Sequence, residues 1–209
     1  VQGGLPHITQ GDKILFNQEE LLNWSSLHLM DANKDRKKRS VLSKAAEAEQ
    51  RILPSHFCHL DWICLDLPGK TKAAVLANLT KLAEKTGYLF DSKEFNDSLC
   101  SREQQASTAL PGGVALVHPA SRDEYLFEES FVCIAKSTQS IFFGEENGGS
   151  TDLFFLIACK DEEHLPVLGC LGKMIMKTTL LEELRDAESP KEILTILQAT
   201  EKNMHCPKK

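Results

Sequence analysis

The sequence predicts an α/β fold in which a mixed β-sheet is flanked by helices, preceded by a small hairpin and a helical connector. Short apolar runs that suit buried strands alternate with segments whose apolar residues recur at helical spacing. Several of the predicted strands follow one another directly, which indicates a mixed sheet rather than a purely parallel one. The first quarter of the chain lacks this alternation and is predicted as a separate module.

Residues 1–30 predict the last part of a small domain. His7–Gln10 and Lys13–Phe16 are strand-forming runs, and the Gly-Asp pair between them suits a hairpin turn. Asn17 then suits the N-cap of a short helix, with Glu20 three residues later as in a capping box. A hairpin and one helix are too little to bury a core, so we expect the front of this domain to precede Val1.

Residues 31–56 predict a helical connector, because Asp35–Leu53 is rich in Ala, Glu, Lys and Leu and contains no Gly or Pro. The segment suits a dimerisation arm equally well, so a homodimer is one assembly to test. A cluster of basic side chains precedes and begins this helix: Lys34, Arg36, Lys37, Lys38 and Arg39. The cluster suits contacts with DNA backbone phosphates, and a solvated helix face is the alternative.

Residues 57–203 carry the main α/β domain, and residues 204–209 form a tail. The predicted strands are Asp61–Leu67, Val114–Val117, Phe131–Lys136, Ile141–Phe143 and Leu153–Cys159. The predicted helices are Lys70–Lys85, Ser92–Gln105, Glu162–Met176, Thr179–Ala187 and Pro190–Glu201.

Composition limits the functions that the chain can perform. No apolar run approaches the ~18 residues that span a bilayer, so we expect no membrane span. The seven cysteines are odd in number, form no C-x-x-C pair and lie mostly in apolar strings. This usage indicates reduced, buried thiols in a cytoplasmic protein rather than a disulfide framework. No metal-binding motif and no nucleotide-binding loop is recognisable, so no metal and no cofactor are expected.

Two of the seven histidines occupy positions that suit chemistry. His118 directly follows the strand Val114–Val117, and His164 comes five residues after the predicted strand Leu153–Cys159. Open α/β sheets place ligand sites at the C-terminal ends of their strands. Two imidazoles at one such edge could accept and hold a phosphoryl group, one of them as nucleophile. A purely structural histidine is the alternative.

The residues that precede His118 include further groups that bind phosphate. Arg102 would offer a planar fork of donors to phosphoryl oxygens, although a surface ion pair at a helix end is the alternative. The hydroxyls of Ser107 and Thr108 and the backbone amides around Gly112 and Gly113 could complete a cradle. These groups are parts from which a phosphoryl-transfer site could be assembled, provided that they meet in space.

The stretch from Arg102 to Leu197 resembles the EIIA domain of the phosphotransferase system, of the mannitol/fructose and nitrogen-regulatory type. The shared motifs are Arg-Glu, Ser-Thr, a glycine turn, V-A-x-x-H ending at His118, and H-L-x-x-L beginning at His164. Weaker similarity extends back to about Phe57. The resemblance implies that His118 accepts a phosphoryl group from HPr or its nitrogen-branch counterpart, with Arg102 and His164 assisting.

Two positions depart from this family pattern. Val117 stands where members usually have proline, and Gly112 stands where mannitol-type members have a carboxylate. The second departure argues against mannitol-specific chemistry and leaves the acceptor of a second transfer open.

Residues 3–24 show a second resemblance, to the wing and third helix of the excisionase-like branch of the MerR winged-helix family. The shared features are a Gly-x-Leu-Pro turn, a glycine-centred hairpin ending in an aromatic residue, and a helix ending in Trp24. This resemblance implies DNA as a partner, with the base-reading helix before Val1. A hairpin without such a role is the alternative.

Together the two resemblances predict a regulatory phosphocarrier in which phosphorylation of His118 is linked to DNA binding or transcription. A soluble EIIA component of sugar transport, which would pass phosphate to an EIIB protein, is the second interpretation. A protein-interaction module that is never phosphorylated is the third.

Overall fold

A computed structural model describes residues 8–10, 13–15, 52–120, 125–144 and 149–205. The chain divides into two compact units, residues 1–51 and 52–209. In the first unit, strand β1 (Ile8–Gln10) pairs antiparallel with strand β2 (Lys13–Leu15), which confirms the predicted hairpin. The helices predicted after Asn17 and over Asp35–Leu53, like the basic cluster of residues 34–39, lie outside the described residues.

The second unit is built on a five-stranded mixed sheet with the strand order β3-β6-β7-β5-β4. Its strands are β3 (Ile63–Leu67), β4 (Ala109–Leu110), β5 (Val114–Val117), β6 (Phe131–Ile141) and β7 (Thr151–Ala158). β3 runs parallel to β6 and β5 parallel to β7, whereas the pairs β6–β7 and β4–β5 are antiparallel. This topology confirms the predicted mixed sheet flanked by helices.

Five α-helices accompany the sheet in the described part of this unit. They are α1 (Lys72–Glu84), α2 (Ser92–Gln105), α3 (Asp161–Lys177), α4 (Leu180–Asp186) and α5 (Pro190–His205). The hydroxyl of Thr71 caps α1 and the carboxylate of Asp91 caps α2, each by accepting bonds from first-turn amides. Three acidic residues open α3, where they interact favourably with the positive end of the helix dipole.

The strands differ from prediction most clearly in three places, and β7 also begins two residues earlier and ends one residue earlier than predicted. Phe131–Ile141 is one continuous strand with a register shift after Lys136, where the sequence predicted a strand ending there and another at Ile141–Phe143. Polar, exposed residues at 138–140 hid this continuity. β3 begins at Ile63 because Leu60–Trp62 forms a 3-10 turn. β4 was not predicted, since two residues are too short for a recognisable pattern.

One buried apolar cluster lies between a face of the sheet and the helices α1 and α2, and further apolar side chains of α3, α4 and α5 are buried as well. The side chains of β5 and β7 are buried almost throughout, as their apolar sequences predicted. The rings of Phe95, Phe127 and Phe131 pack against one another with centroids 5.9–6.4 Å apart. Burying each such ring contributes roughly 1.5–3 kcal/mol, so this packing fixes α2 against the start of β6.

Strand direction defines the edge of the sheet at which a site can form. β5 and β7 are parallel, and Phe131 at the start of β6 pairs with Ala158 at the end of β7. The residues that leave β5 and β7 therefore emerge at the same edge, which we call the C-terminal edge. His118 follows β5 there, and the first turn of α3 follows β7 there.

Candidate active site

The imidazole of His118 is held at both of its nitrogens. Its Nδ1 lies 2.8 Å from the carbonyl oxygen of Leu116, and its Nε2 lies 2.9 Å from Nε of Arg102. A carbonyl oxygen only accepts and a guanidinium N–H only donates, so Nδ1 carries the proton and Nε2 presents its lone pair. The structure therefore selects the neutral Nδ1–H tautomer of His118, a side chain that is 4% exposed.

Arg102 lies in the last turn of α2 and is buried, with 2% of the residue exposed. Its Nη1 donates to the carbonyl oxygen of Ala106 at 2.9 Å, so two sides of the guanidinium are fixed. Burial lowers the pKa of Arg102, and the adjacent carboxylate of Glu103 opposes that shift. Because an arginine side chain stays protonated in proteins, a buried positive charge faces Nε2 of His118.

His164 lies in the first turns of α3 and is 1% exposed. The centroid of its ring is 5.1 Å from that of His118, with an angle of 66° between the ring planes. The backbone N–H of His164 donates to Lys160 at 3.0 Å, which ties its position to the end of β7. The predicted convergence of the two histidines at one sheet edge is thus confirmed, while their chemical roles remain predictions.

The hydroxyls of Ser107 and Thr108 lie on the carboxylate of Glu103, although the sequence predicted that they bind a phosphoryl group. Thr108 Oγ1 donates to Glu103 Oε2 at 2.6 Å, and Ser107 Oγ lies 2.9 Å from Oε1 and 2.8 Å from the carbonyl oxygen of Phe143. Lys72 Nζ completes the group at 2.9 Å from Oε1. Glu103 was given no role from the sequence beyond the shared Arg-Glu motif, although a hydroxyl pair lies four and five residues downstream of it.

The glycines Gly112 and Gly113 lie at the other end of β5 from His118. Four extended residues, Val114–Val117, separate them from that histidine, which corresponds to roughly 13 Å of chain. There the carbonyl oxygen of Gly112 accepts a bond from Arg185 Nη2 at 2.5 Å. This geometry contradicts the predicted position of the glycine amides beside His118, because closeness in sequence along a strand is not closeness in space.

The described part of the chain offers no group of His, Cys, Asp and Glu side chains arranged to hold a metal ion. Within that same part, no helix is long and apolar enough to cross a membrane. The site consists instead of three buried side chains at the C-terminal edge, in which His118 contacts both Arg102 and His164. A neutral imidazole beside a fixed cation is suited to accept an electrophile that carries negative charge, of which a phosphoryl group is the commonest.

Comparison with known sequences assigns the chain to a family whose description fits this chemistry. Residues 56–200 match the family model described as phosphoenolpyruvate-dependent sugar phosphotransferase system, EIIA 2. A fructose-specific EIIA component of Haloferax volcanii is 30% identical over 141 residues, which cover 66% of this chain and 90% of that protein. A fructose-specific EIIABC component of Bacillus subtilis is 24% identical over 143 residues, and the match spans only 22% of its length.

Solved structures share the fold. The nitrogen regulatory protein IIA-Ntr from Neisseria meningitidis aligns with a TM-score of 0.63 at 23% identity, covering 68% of this chain and 97% of that one. The complex of enzyme IIAMTL with phosphorylated enzyme IIBMTL from Escherichia coli aligns with a TM-score of 0.59 at 22% identity, covering 68% and 96%. The family match covers well over half of the sequence and includes all three site residues. The chain therefore belongs to the EIIA type 2 family of the phosphoenolpyruvate-dependent sugar phosphotransferase system.

Proposed function

We propose that this protein is a phosphocarrier that accepts a phosphoryl group on Nε2 of His118. The observation that carries this proposal is the tautomer of His118, in which Nδ1–H is held by Leu116 and the lone pair of Nε2 faces Arg102. An imidazole in this state is nucleophilic at one nitrogen only. In this proposal the donor is the phosphohistidine of an HPr-like phosphocarrier protein, a role that membership of the phosphotransferase system supports.

In the transfer step, Nε2 of His118 attacks the phosphorus atom of the donor as the P–N bond of the donor breaks. The electron pair of that bond stays on the donor ring, which leaves as neutral imidazole when its other nitrogen carries a proton. His118 keeps its proton on Nδ1 and so gains a positive charge, which the carbonyl oxygen of Leu116 stabilises. The transition state is loose, so positioning and charge stabilisation supply most of the rate enhancement.

Arg102 has to change partner during this step. Its Nε–H donates to the lone pair that becomes the new N–P bond, and it then donates to a phosphoryl oxygen instead. The fixed bond from Nη1 to Ala106 keeps the guanidinium at the site during this exchange. His164, whose ring packs against that of His118 at a steep angle, is placed to donate a hydrogen bond to a second phosphoryl oxygen.

Acid-labile labelling tests this function. The protein is incubated with labelled phosphoenolpyruvate, enzyme I and HPr, and the bound label is followed before and after acid treatment. We expect the wild type to take up label, His164→Ala to take it up more slowly, and His118→Ala to take up none. A folded wild type that takes no label would contradict the phosphocarrier role and favour an interaction module that is never phosphorylated.

The same phosphorylation is linked to DNA binding in the regulatory form of this proposal. Its support is the resemblance of residues 3–24 to a wing, the antiparallel pairing of β1 with β2, and the basic cluster of residues 34–39. Residues 57–209 carry sixteen Lys/Arg against twenty-three Asp/Glu, so an acidic domain adjoins a basic segment. A phosphoryl group adds up to about −2 charge and would strengthen attraction between the two.

This link is tested by DNA affinity at one fixed salt concentration. The protein is compared in its phosphorylated and unphosphorylated forms, with His118→Ala as the control that cannot be labelled. We expect phosphorylation to lower the affinity for DNA, because the more negative domain then competes with the DNA phosphates for the basic cluster. Equal affinities of the two forms would contradict the link.

Transfer to an EIIB protein is the second candidate function. The observation that favours it is the 30% identity to a fructose-specific EIIA component over most of that protein. Adding purified fructose-type EIIB to the phosphorylated chain distinguishes the two functions. Rapid transfer of label to EIIB supports the transport role, whereas label that stays on His118 supports the regulatory one.

A further inference from the structure

Glu103 is a buried carboxylate beside the site described above, and its side chain is 2% exposed. Lys72 Nζ and Ser107 Oγ each lie 2.9 Å from Oε1. The backbone N–H and hydroxyl of Thr108 donate to Oε2 at 3.0 and 2.6 Å. Removing a charge from water is costly, and here the lysine ammonium and the N–H and hydroxyl of Thr108 offset that cost, so the fold holds this carboxylate in the interior by specific partners.

One path from Glu103 leads to Nδ1 of His118. Glu103 fixes Thr108 by two hydrogen bonds, and the carbonyl oxygen of Thr108 accepts the backbone N–H of Leu116 at 3.1 Å. The carbonyl oxygen of Leu116 in turn accepts the Nδ1–H of His118 at 2.8 Å. Three consecutive hydrogen-bonded links therefore join the carboxylate to the protonated ring nitrogen.

A second path leads to Nε2 of the same ring. Arg102 is the residue before Glu103 in the last turn of α2, and its Nε donates to Nε2 of His118. Clamping Glu103 to Thr108 also closes residues 103–108 into a compact turn. That turn presents the carbonyl oxygen of Ala106, which is the second anchor of the Arg102 guanidinium.

We propose that Glu103 is a positioning residue that fixes the tautomer and orientation of His118 through both ring nitrogens at once. The kinetic part of this inference rests on the proposed phosphocarrier function, whereas the tautomer part does not. Glu103 is separated from His118 by Arg102 on one path and by Thr108 and Leu116 on the other, so both effects reach the ring through these intervening residues.

The substitution Glu103→Gln tests the inference with almost no change in volume. The amide keeps one acceptor oxygen and replaces the other by an NH₂ group that can only donate. Whichever way it is turned, this NH₂ faces either Lys72 and Ser107 or the N–H of Thr108. In the second orientation the N–H link to Thr108 is lost directly, and in the first the bond from Lys72 is lost. In both orientations the negative charge that strengthens the two bonds from Thr108 is gone, so the clamp weakens and the two paths to His118 loosen.

The direct measurement is the ¹⁵N spectrum of histidine-labelled full-length protein. In the wild type, His118 should show a protonated Nδ1 and an unprotonated Nε2. In Glu103→Gln we expect intermediate shifts, which report a mixture of the two tautomers. The rate of phosphorylation by HPr should fall on the order of 10- to 100-fold with an unchanged KM for HPr, because misplacement of the nucleophile slows the step rather than the encounter.

Glu201→Gln is the matched control, because Glu201 is also a buried glutamate, 2% exposed, and its oxygens accept the backbone N–H and hydroxyl of Ser55. We expect it to lower the thermal stability while leaving the His118 spectrum and the phosphorylation rate unchanged. Should Glu103→Gln fail to fold, Lys72→Met replaces it as the test, because it removes one partner of Glu103. The side chain of Lys72 is 35% exposed, so we expect this substitution to disturb the fold less. It should shift the His118 spectrum in the same direction.

A variant that retains the wild-type His118 spectrum and rate but melts at lower temperature would show that Glu103 is only structural. Shifted spectra in both Glu103→Gln and Glu201→Gln would also overturn the inference, because the effect would then be general. If the wild type itself is not phosphorylated, the proposed function fails, and the spectra still decide the role of Glu103.

Discussion

The Nε–H of Arg102 donates a 2.9 Å hydrogen bond to the very nitrogen of His118 that carries the lone pair. The cation that would stabilise an incoming phosphoryl group thus occupies the nucleophile before the group arrives. A hydrogen bond to a charged group contributes about 1.5–3 kcal/mol net, so this contact orients the ring firmly and can still be exchanged. The arrangement keeps the acceptor in the reactive tautomer at the cost of one bond that must break during transfer.

Arg102→Lys should lower the phosphorylation rate by about 10²- to 10³-fold while the protein remains folded. Lysine keeps the positive charge, but it has no planar fork that could reach both His118 and the carbonyl oxygen of Ala106. Losing one fixed donor at the site of developing charge has an effect of this size. Single-turnover labelling with excess phospho-HPr measures the rate, and circular dichroism checks the fold. A rate within about threefold of wild type would show that charge alone is sufficient.

Diethylpyrocarbonate should modify the histidines of the second unit at very different rates. His56 and His59 are exposed, whereas His118 is 4% and His164 is 1% exposed. In addition, the lone pair of His118 is occupied by Arg102. We expect rapid modification of the two exposed residues and slow modification of the two buried ones, as read by peptide mass spectrometry. Equal rates would mean that the unphosphorylated site is open in solution.

Gly113→Ala should destabilise the protein without slowing phosphorylation of the folded fraction. Gly113 has φ +76°, and an added Cβ would lie 2.8 Å from Arg185 Nη2 and 3.0 Å from the carbonyl oxygen of Ser150. Gly87 has nearly the same φ, +75°, but an added Cβ there meets no atom within 4 Å. Gly87→Ala therefore isolates the backbone strain, about 1–2 kcal/mol, and Gly113→Ala should lose more.

Thermal unfolding of both glycine variants gives the comparison, at about 2–4 °C for each kcal/mol in a domain of this size. The phosphorylation rate of Gly113→Ala then tests whether this turn takes part in the site. A slower phosphorylation of a stably folded Gly113→Ala variant would contradict this and indicate that the glycine amides take part in the site at His118.

Cys58 and Cys170 should react slowly with iodoacetamide at pH 8 in the native protein. Burial, assisted by the charge of Glu201, raises the pKa of Cys58 to about 12 and that of Cys170 to about 11. A raised pKa keeps the thiol protonated below it, so the thiolate fraction at pH 8 is about 10⁻⁴ for Cys58 and about 10⁻³ for Cys170. Labelling of native and urea-unfolded protein, compared peptide by peptide, measures this protection. Rapid labelling of native Cys58 would contradict it.

The sequence was sufficient for the main architecture because the sheet follows a local rule. Residues that follow parallel strands emerge at the same edge of the sheet, so the positions of His118 and His164 after their strands predict that they lie close together. Closeness in sequence was misleading at Gly112 and Gly113, which lie near His118 in sequence but beyond the opposite end of β5.

Glu103 could not be assigned from sequence for a different reason. A glutamate in a polar helix looks like a surface residue when only its sequence neighbours are considered. Its partner Lys72 lies 31 positions away and belongs to another helix, so no local pattern indicates the contact. Only packing of α1 against α2 brings the two together. The hydroxyls of Ser107 and Thr108 were recognised as binding an anion, but the anion they contact here is the protein's own carboxylate.

The position of the phosphoryl group on the ring tests the central claim most directly. The chain is labelled with ¹⁵N-histidine, phosphorylated through HPr, and the one-bond ³¹P–¹⁵N coupling is assigned to a ring nitrogen. The account predicts a coupling to Nε2 of His118, with Nδ1 still protonated and bonded to Leu116. A coupling to Nδ1 of His118, or to any nitrogen of His164, would contradict it.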